Sequence, residues 1–196
     1  MPQGKTRIKA HLGKSAQKEV PMEWKDLFID SYDEAFKSVE RALDGLSQKD
    51  LDLQSRPDCN SIGWTAWHLA RELDGLISSI TGEEQLWIKD RWHEKFNRSP
   101  DPTDSGTGHS PEQVAAFNSP DVKTLLNYYQ AVLERSKRRI TSLSGSDLSR
   151  KIDDPWAQYF PTVGSRLIVA LAEALQHAGQ VCYIRGLLKG KGWQDF

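Results

Sequence analysis

The sequence predicts an all-α fold, a four-helix bundle running up-down-down-up with a long connection between helices two and three. Four stretches of about 20 residues carry apolar side chains at i, i+3, i+4 spacing, the period of a helix with one buried face. No segment alternates apolar and polar residues with period two, so strands should be few or absent. The segment 83–118 is long enough to let the helices on either side of it run parallel.

Composition bounds the function. The chain of 196 residues suffices for one domain, and 38% hydrophobic with 27% charged residues is a soluble globular composition. A formal net charge of −1 supplies no basic field for nucleic acid. Cys59 and Cys182 form neither a zinc motif nor a disulfide framework, so the reduced cytoplasm is the expected compartment. No apolar run matches a membrane span or a secretory leader. The seven tryptophans suit core and rim packing better than an aromatic-walled cleft.

In chain order, residues 1–20 read as a basic N-terminal tail and 21–196 as the folded domain. Trp24, Leu27, Phe28, Tyr32, Ala35, Phe36, Val39, Leu43 and Leu46 give helix one its stripe, and 47–60 is a polar connection. Helix two spans 61–80, with Ile62, Ala66, Leu69, Leu73, Leu76 and Ile80 inward. Asn60 or Ser61 caps it and Gly82 ends it. Within 83–118, Ser110-Pro111-Glu112-Gln113 starts a short helix to Phe117. Helix three follows Pro120-Asp121 to Leu143, its basic residues Arg135, Lys137, Arg138 and Arg139 reading as a solvated face. Leu46–Leu51 echoes Leu143–Leu148, each following a long helix and preceding another. Helix four covers 167–188, with Leu167, Leu171, Ala174, Leu175, Ala178, Val181 and Cys182 on its stripe.

On the border of that last stripe Glu173, His177 and Gln180 form a polar row, three and four residues apart. On helix two His68 sits on a similar border between Thr65 and Glu72. Asp74 lies on the polar side of helix two and reads as a surface charge or a cap partner. Tyr183 and Arg185 read as the bundle end, the arginine in a salt bridge.

Asn60-Ser61-Ile62-Gly63-Trp64 leading into Trp67-His68-Leu69-Ala70, with Asp74 beyond, resembles the second helix of the DinB/YfiT-like superfamily. Gln176-His177-Ala178-Gly179-Gln180 with Tyr183-Ile184-Arg185-Gly186 resembles its fourth, and Gly108-His109-Ser110-Pro111-Glu112 matches a branch of DinB-like proteins. The likeness spans roughly 22–190. It implies a four-helix bundle holding a divalent metal, often zinc or nickel, through one histidine of helix two and two of helix four at i and i+4. It also implies chemistry like that of bacillithiol S-transferases or mycothiol-dependent maleylpyruvate isomerase, and pairing as a homodimer. His68 and His177 match two of the ligand positions, and Glu173 stands where the family has a histidine.

Two imidazoles and a carboxylate are sound ligands for zinc, nickel, iron or manganese. His109 is the rival third ligand, while His93 reads as exposed and His11 lies in the tail. The expected protein is a metal-dependent transferase, isomerase or hydrolase acting on a small molecule, with a low-molecular-weight thiol as a candidate co-substrate. Neither nucleic acid nor membrane is an expected partner. The alternative is a non-catalytic bundle that binds a ligand or partner, with His68 and His177 as hydrogen-bonded buried residues. No catalytic residue is assigned.

Overall fold

A computed structural model describes residues 21–193, so the proposed tail and His11 lie outside the described residues. The described chain is all-helical. Its elements are α1 (Trp24–Leu43), α2 (Gln48–Asp52), α3 (Ile62–Thr81), α4 (Leu86–Lys89), α5 (Trp92–Lys95), α6 (Pro111–Ala115), α7 (Val122–Ser142), a 3-10 turn (Gly145–Ser149) and α8 (Val163–Lys189). The only β pairing among the described residues is an isolated bridge between Lys151 and Thr162.

The four long helices lie where the periodicity puts them, and three details differ. α1 stops at Leu43, and the chain turns through Gly45 at φ +67° before Leu46 drops into the core. The connection then carries α2, started by Ser47 accepting from the Asp50 N–H while Asp50 accepts from the Ser47 N–H. α8 begins four residues earlier than its apolar stripe, because Thr162 caps it by accepting from the Ser165 N–H at 3.1 Å. The echo noted above is real in three dimensions: Ser144 and Asp147 repeat the same reciprocal cap at the start of the 3-10 turn.

α8 packs against α1 and α3, and α7 against the same two. Lys25 at the start of α1 donates to the Thr141 carbonyl at the end of α7, and Asp33 pairs with Lys137 at 2.9 Å. Arg139 near the end of α7 pairs with Glu83 just past the end of α3. Arg166 at the start of α8 donates to Ser79 near the end of α3, and Lys189 at its far end pairs with Asp50 beyond α1 at 2.7 Å.

α3 is the most enclosed helix: of residues 61–71, every one is buried. One side faces the other long helices, and the other is covered by the 83–118 crossover. Trp67, Trp87, Phe96, Phe117 and Tyr128 pack ring to ring beneath that cover.

This double cover overturns two expectations. Of the two roles read for Asp74, the surface charge fails and the cap partner holds, because the residue is completely buried at the start of α4. It accepts from the backbone N–H groups of Leu86 and Trp87, starting α4, and from the Tyr128 hydroxyl and Arg135. Arg135 is correspondingly not part of a solvated face, since its guanidinium is held at 2.7 Å from Asp74. The rest of the basic run is at the surface or partly so, with Lys137 and Arg139 paired to acids.

Candidate metal centre

The packing of α8 against α3 sets His68 against His177. Their rings meet edge to face, with centroids 4.5 Å apart, and both residues are buried. Glu173, one turn before His177, completes a group whose ligand atoms all lie within 4.8 Å of one another. Atoms bound to one ion at about 2.0–2.2 Å fall within about 4.4 Å of each other, so the group is close to coordinating geometry.

Each imidazole is oriented through its second nitrogen. His68 Nδ1 lies 2.6 Å from the Ser105 carbonyl of the crossover, which can only accept, so Nδ1 carries the proton and Nε2 the lone pair. Trp64 stacks on the ring at 4.8 Å and fixes its plane. Burial lowers the His68 pKa, favouring the neutral ligand form, while the Ser105 carbonyl and Glu72 oppose the shift. His177 Nδ1 meets Oε1 of Gln180 at 2.8 Å, and its Nε2 meets Oε2 of Glu173 at 2.9 Å. With the Nδ1 proton given to Gln180, Nε2 turns a lone pair toward a carboxylate. Both then present lone pairs that one ion could accept; with the proton on Nε2 instead, His177 donates to Glu173. The donor set therefore fits a divalent ion.

The crossover reaches His68 because α3 holds it down. Arg71, one turn beyond His68 and 1% exposed, donates to the carbonyls of Asp101, Pro102 and Asp104 and to Gln85, and its plane covers Trp87. Asp104 in turn pairs with Arg98 and with His109 Nε2, and His109 Nδ1 accepts from Trp64 Nε1 at 3.2 Å. The closest approach falls at Gly106, φ +95°. A Cβ there would sit 2.7 Å from Trp64, 2.9 Å from Trp67 and 3.2 Å from His68 Nδ1.

These contacts sort the remaining sequence candidates. His109 is spent on Trp64 and Asp104 and stands outside the ligand group, so it is not the rival third ligand. His93 is half-buried against the edge of Trp87 rather than exposed. Glu72 accepts from Thr107 and stays 3.9 Å from His68 Nδ1. Tyr183 is exposed, and Arg185 makes no salt bridge among the described residues, its Nε and one terminal nitrogen lying buried and unbonded. A backbone carbonyl or Gln180 as acceptor for a spare imidazole nitrogen was foreseeable, but sequence reasoning missed Arg71 and that the carbonyl belongs to Ser105. A basic residue one turn beyond a predicted ligand on an apolar helix was the available signal for the first, and a backbone carbonyl leaves none.

The fold and this pair of helix motifs define a class. The DinB superfamily model matches residues 31–181, so the chain belongs to the DinB superfamily. Among solved structures, the chain is similar to a conserved protein from Enterococcus faecalis. The two are 31% identical with a TM-score of 0.78, over 87% of this chain and 100% of that one. No curated protein matches the sequence.

Proposed function

We propose that the protein is a divalent-metal-dependent enzyme acting on a small molecule, a transferase, isomerase or hydrolase, with a low-molecular-weight thiol as the favoured co-substrate. The observation that carries it is the gathering of ligand atoms of His68, Glu173 and His177, from helices more than a hundred positions apart, within 4.8 Å of one another. Those three residues would hold zinc or nickel first, and iron or manganese are also compatible with the set. When bound, such an ion supplies Lewis acidity strong enough to deprotonate a water or thiol near neutral pH.

The chain's own residues do the positioning. Ser105 keeps the proton of His68 on Nδ1, and Gln180 does the same for His177. Glu173, whose side chain keeps about a third of its surface exposed, joins the group to solvent. Trp64 and the pinned crossover shut water away from the His68 side. The scaffold we read is an up-down-down-up bundle, supported by the cross-links that pair the start of α1 with the end of α7 and the end of α3 with the start of α8. A cytoplasmic setting without nucleic-acid or membrane partners completes this reading, in keeping with two free cysteines and a near-neutral net charge.

One observation favours a second reading. Both His177 nitrogens already have partners within α8, as a purely structural histidine would. A non-catalytic bundle that binds a ligand or partner without metal would keep those bonds. Metal analysis of untagged protein, wild type against His177→Ala, separates the two. About one equivalent of metal in the wild type, lost in the variant, supports the enzyme; near-zero metal in both ends it.

A further inference from the structure

α1 and α7 leave a groove open between them at the end where α1 stops and α7 begins. Its floor is apolar, with Phe36 and Leu46 on one side and Val122 and Leu126 on the other. Phe36, Val122 and Leu126 pack on the core yet stay partly exposed to the groove, whose volume is about 490 Å³. The α1 rim is acidic. Glu40 and Asp44 are exposed there, and neither makes an ion pair among the described residues. Lys123, across the groove, is the one base on its lining.

That rim is costly to α1 as it stands. Glu40 and Asp44 are one helical turn apart, where like charges repel. Asp44 is also the C-cap, where the helix dipole already presents negative charge. An apolar floor beside two unpaired acids suits an apolar segment that carries bases. We propose that residues 5–14 of this same chain, which lie outside the described residues, are that segment. Ile8 and Leu12 then rest on the floor at Phe36 and Leu126, and Lys9 and Lys14 face Glu40 and Asp44. Three observations select it. First, the pattern matches. Residues 1–20 hold Lys5, Arg7, Lys9, Lys14 and Lys18 against Glu19 alone, and Ile8 and Leu12 are enclosed by Arg7, Lys9 and Lys14. Second, the reach matches. From Trp24 to Asp44 the helix rises about 30 Å, and residues 13 to 23 span up to about 36 Å when extended. Third, the segment is joined to α1. A tethered segment meets its site at a millimolar effective concentration, against which any free partner must compete. α1 and α7 carry none of His68, Glu173 and His177, so the inference stands apart from the metal reading.

Hydrogen exchange on the full-length chain, read by mass spectrometry, tests it, with circular dichroism and melting to confirm that each variant folds. Amides 8–12 should exchange at least about tenfold more slowly than in a free peptide of the same sequence. Glu40→Lys with Asp44→Lys should return them to the free-peptide rate, and adding Lys9→Glu and Lys14→Glu should restore the protection. Zero-length carbodiimide coupling of the wild type should join Lys9 or Lys14 to Glu40 or Asp44. Free-peptide exchange in the wild type overturns the proposal, as does protection that survives Glu40→Lys with Asp44→Lys. Protection that the full charge swap fails to restore overturns the pairing of Lys9 and Lys14 with this rim. Coupling of those lysines only to acids away from the groove overturns the site. Coupling in an equal mixture of unlabelled and nitrogen-15-labelled chains identifies the donor. Links within one isotope keep the segment on its own chain, and links between the two give the groove to a second copy and overturn the proposal.

Discussion

Replacing Asp74 by asparagine removes one charge and almost no volume, at a point where the structure leaves nothing to compensate. Every partner of the Asp74 carboxylate is a donor: the Leu86 and Trp87 N–H groups at 3.0 and 2.9 Å, the Tyr128 hydroxyl at 2.9 Å and Arg135 at 2.7 Å. An amide keeps one acceptor oxygen and turns an NH2 toward donors. It also leaves Arg135 buried without a counter-charge, and Arg71, 3.7 Å away, with one fewer. Breaking a buried ion pair from one side costs about 3–5 kcal/mol. For a chain of this size each kcal/mol moves the melting temperature by about 2–4 °C, so Asp74→Asn should melt about 6–20 °C lower. Urea unfolding gives the free energy directly. Arg135→Met should rescue part of the loss, giving a coupling of about 2 kcal/mol in the double-mutant cycle. A loss below about 1 kcal/mol, or additive single effects, would refute the claim that this pair anchors the crossover.

Two further outcomes follow from the same contacts. Gly106→Ala combines an unfavourable φ with the close approach to Trp64 and Trp67; it should destabilise by about 2–4 kcal/mol. By moving the Ser105 carbonyl off His68 it should also weaken metal binding about 10–100-fold in chelator competition, and an unchanged isotherm would deny the crossover its orienting role. Burial raises the Cys182 thiol above its ordinary value, so the unfolded chain loses that proton at lower pH than the folded one. Stability contributed by the buried thiol should then be lost as pH rises past about 9, and Cys182 should alkylate more slowly in native protein than in urea, read by mass spectrometry. Equal rates in both would contradict the burial.

What was legible in the sequence follows from what periodicity encodes. A 3.6-residue repeat reports which face of a helix is buried, and it located α1, α3, α7 and α8 with their inward residues. It treats every charge as outward. Arg71, Asp74 and Arg135 are buried because α3 is covered twice and because their partners come from elements far along the chain, which no local pattern records; Arg166 is covered by Asp154 and Phe160 just before its own helix. Glu173 and His177 were legible as neighbours on one helix; that His68 faces them followed from the resemblance and the packing. The carbonyl that orients His68 belongs to Ser105, whose identity is irrelevant to the bond.

The buried charges and the candidate centre form one structure. Asp74 starts α4 and holds Arg135; Arg71 grips residues 101–104; the next residue, Ser105, holds His68. Asp74 and Arg71 tie α3 to the crossover at residues 86–87 and 101–104, Ser105 returns it to His68, and Arg135 ties Asp74 to α7. This explains why so polar a segment lies over the apolar face of Trp64 and Trp67. Its contacts are mostly to backbone carbonyls, whose positions survive changes of side chain, while the residues that grip them are on the helix. The metal ligands come from α3 and α8, and the proton placement at His68 comes from the crossover. If the three components act together, a substitution at Asp74 should disturb metal affinity as well as stability, though the two residues are separated by more than one helical turn. Metal binding by Asp74→Asn protein, measured at a temperature where it remains folded, should therefore be weaker than wild type. Wild-type affinity in a folded but destabilised variant would show that the anchor at Asp74 and the strap at Ser105 work separately.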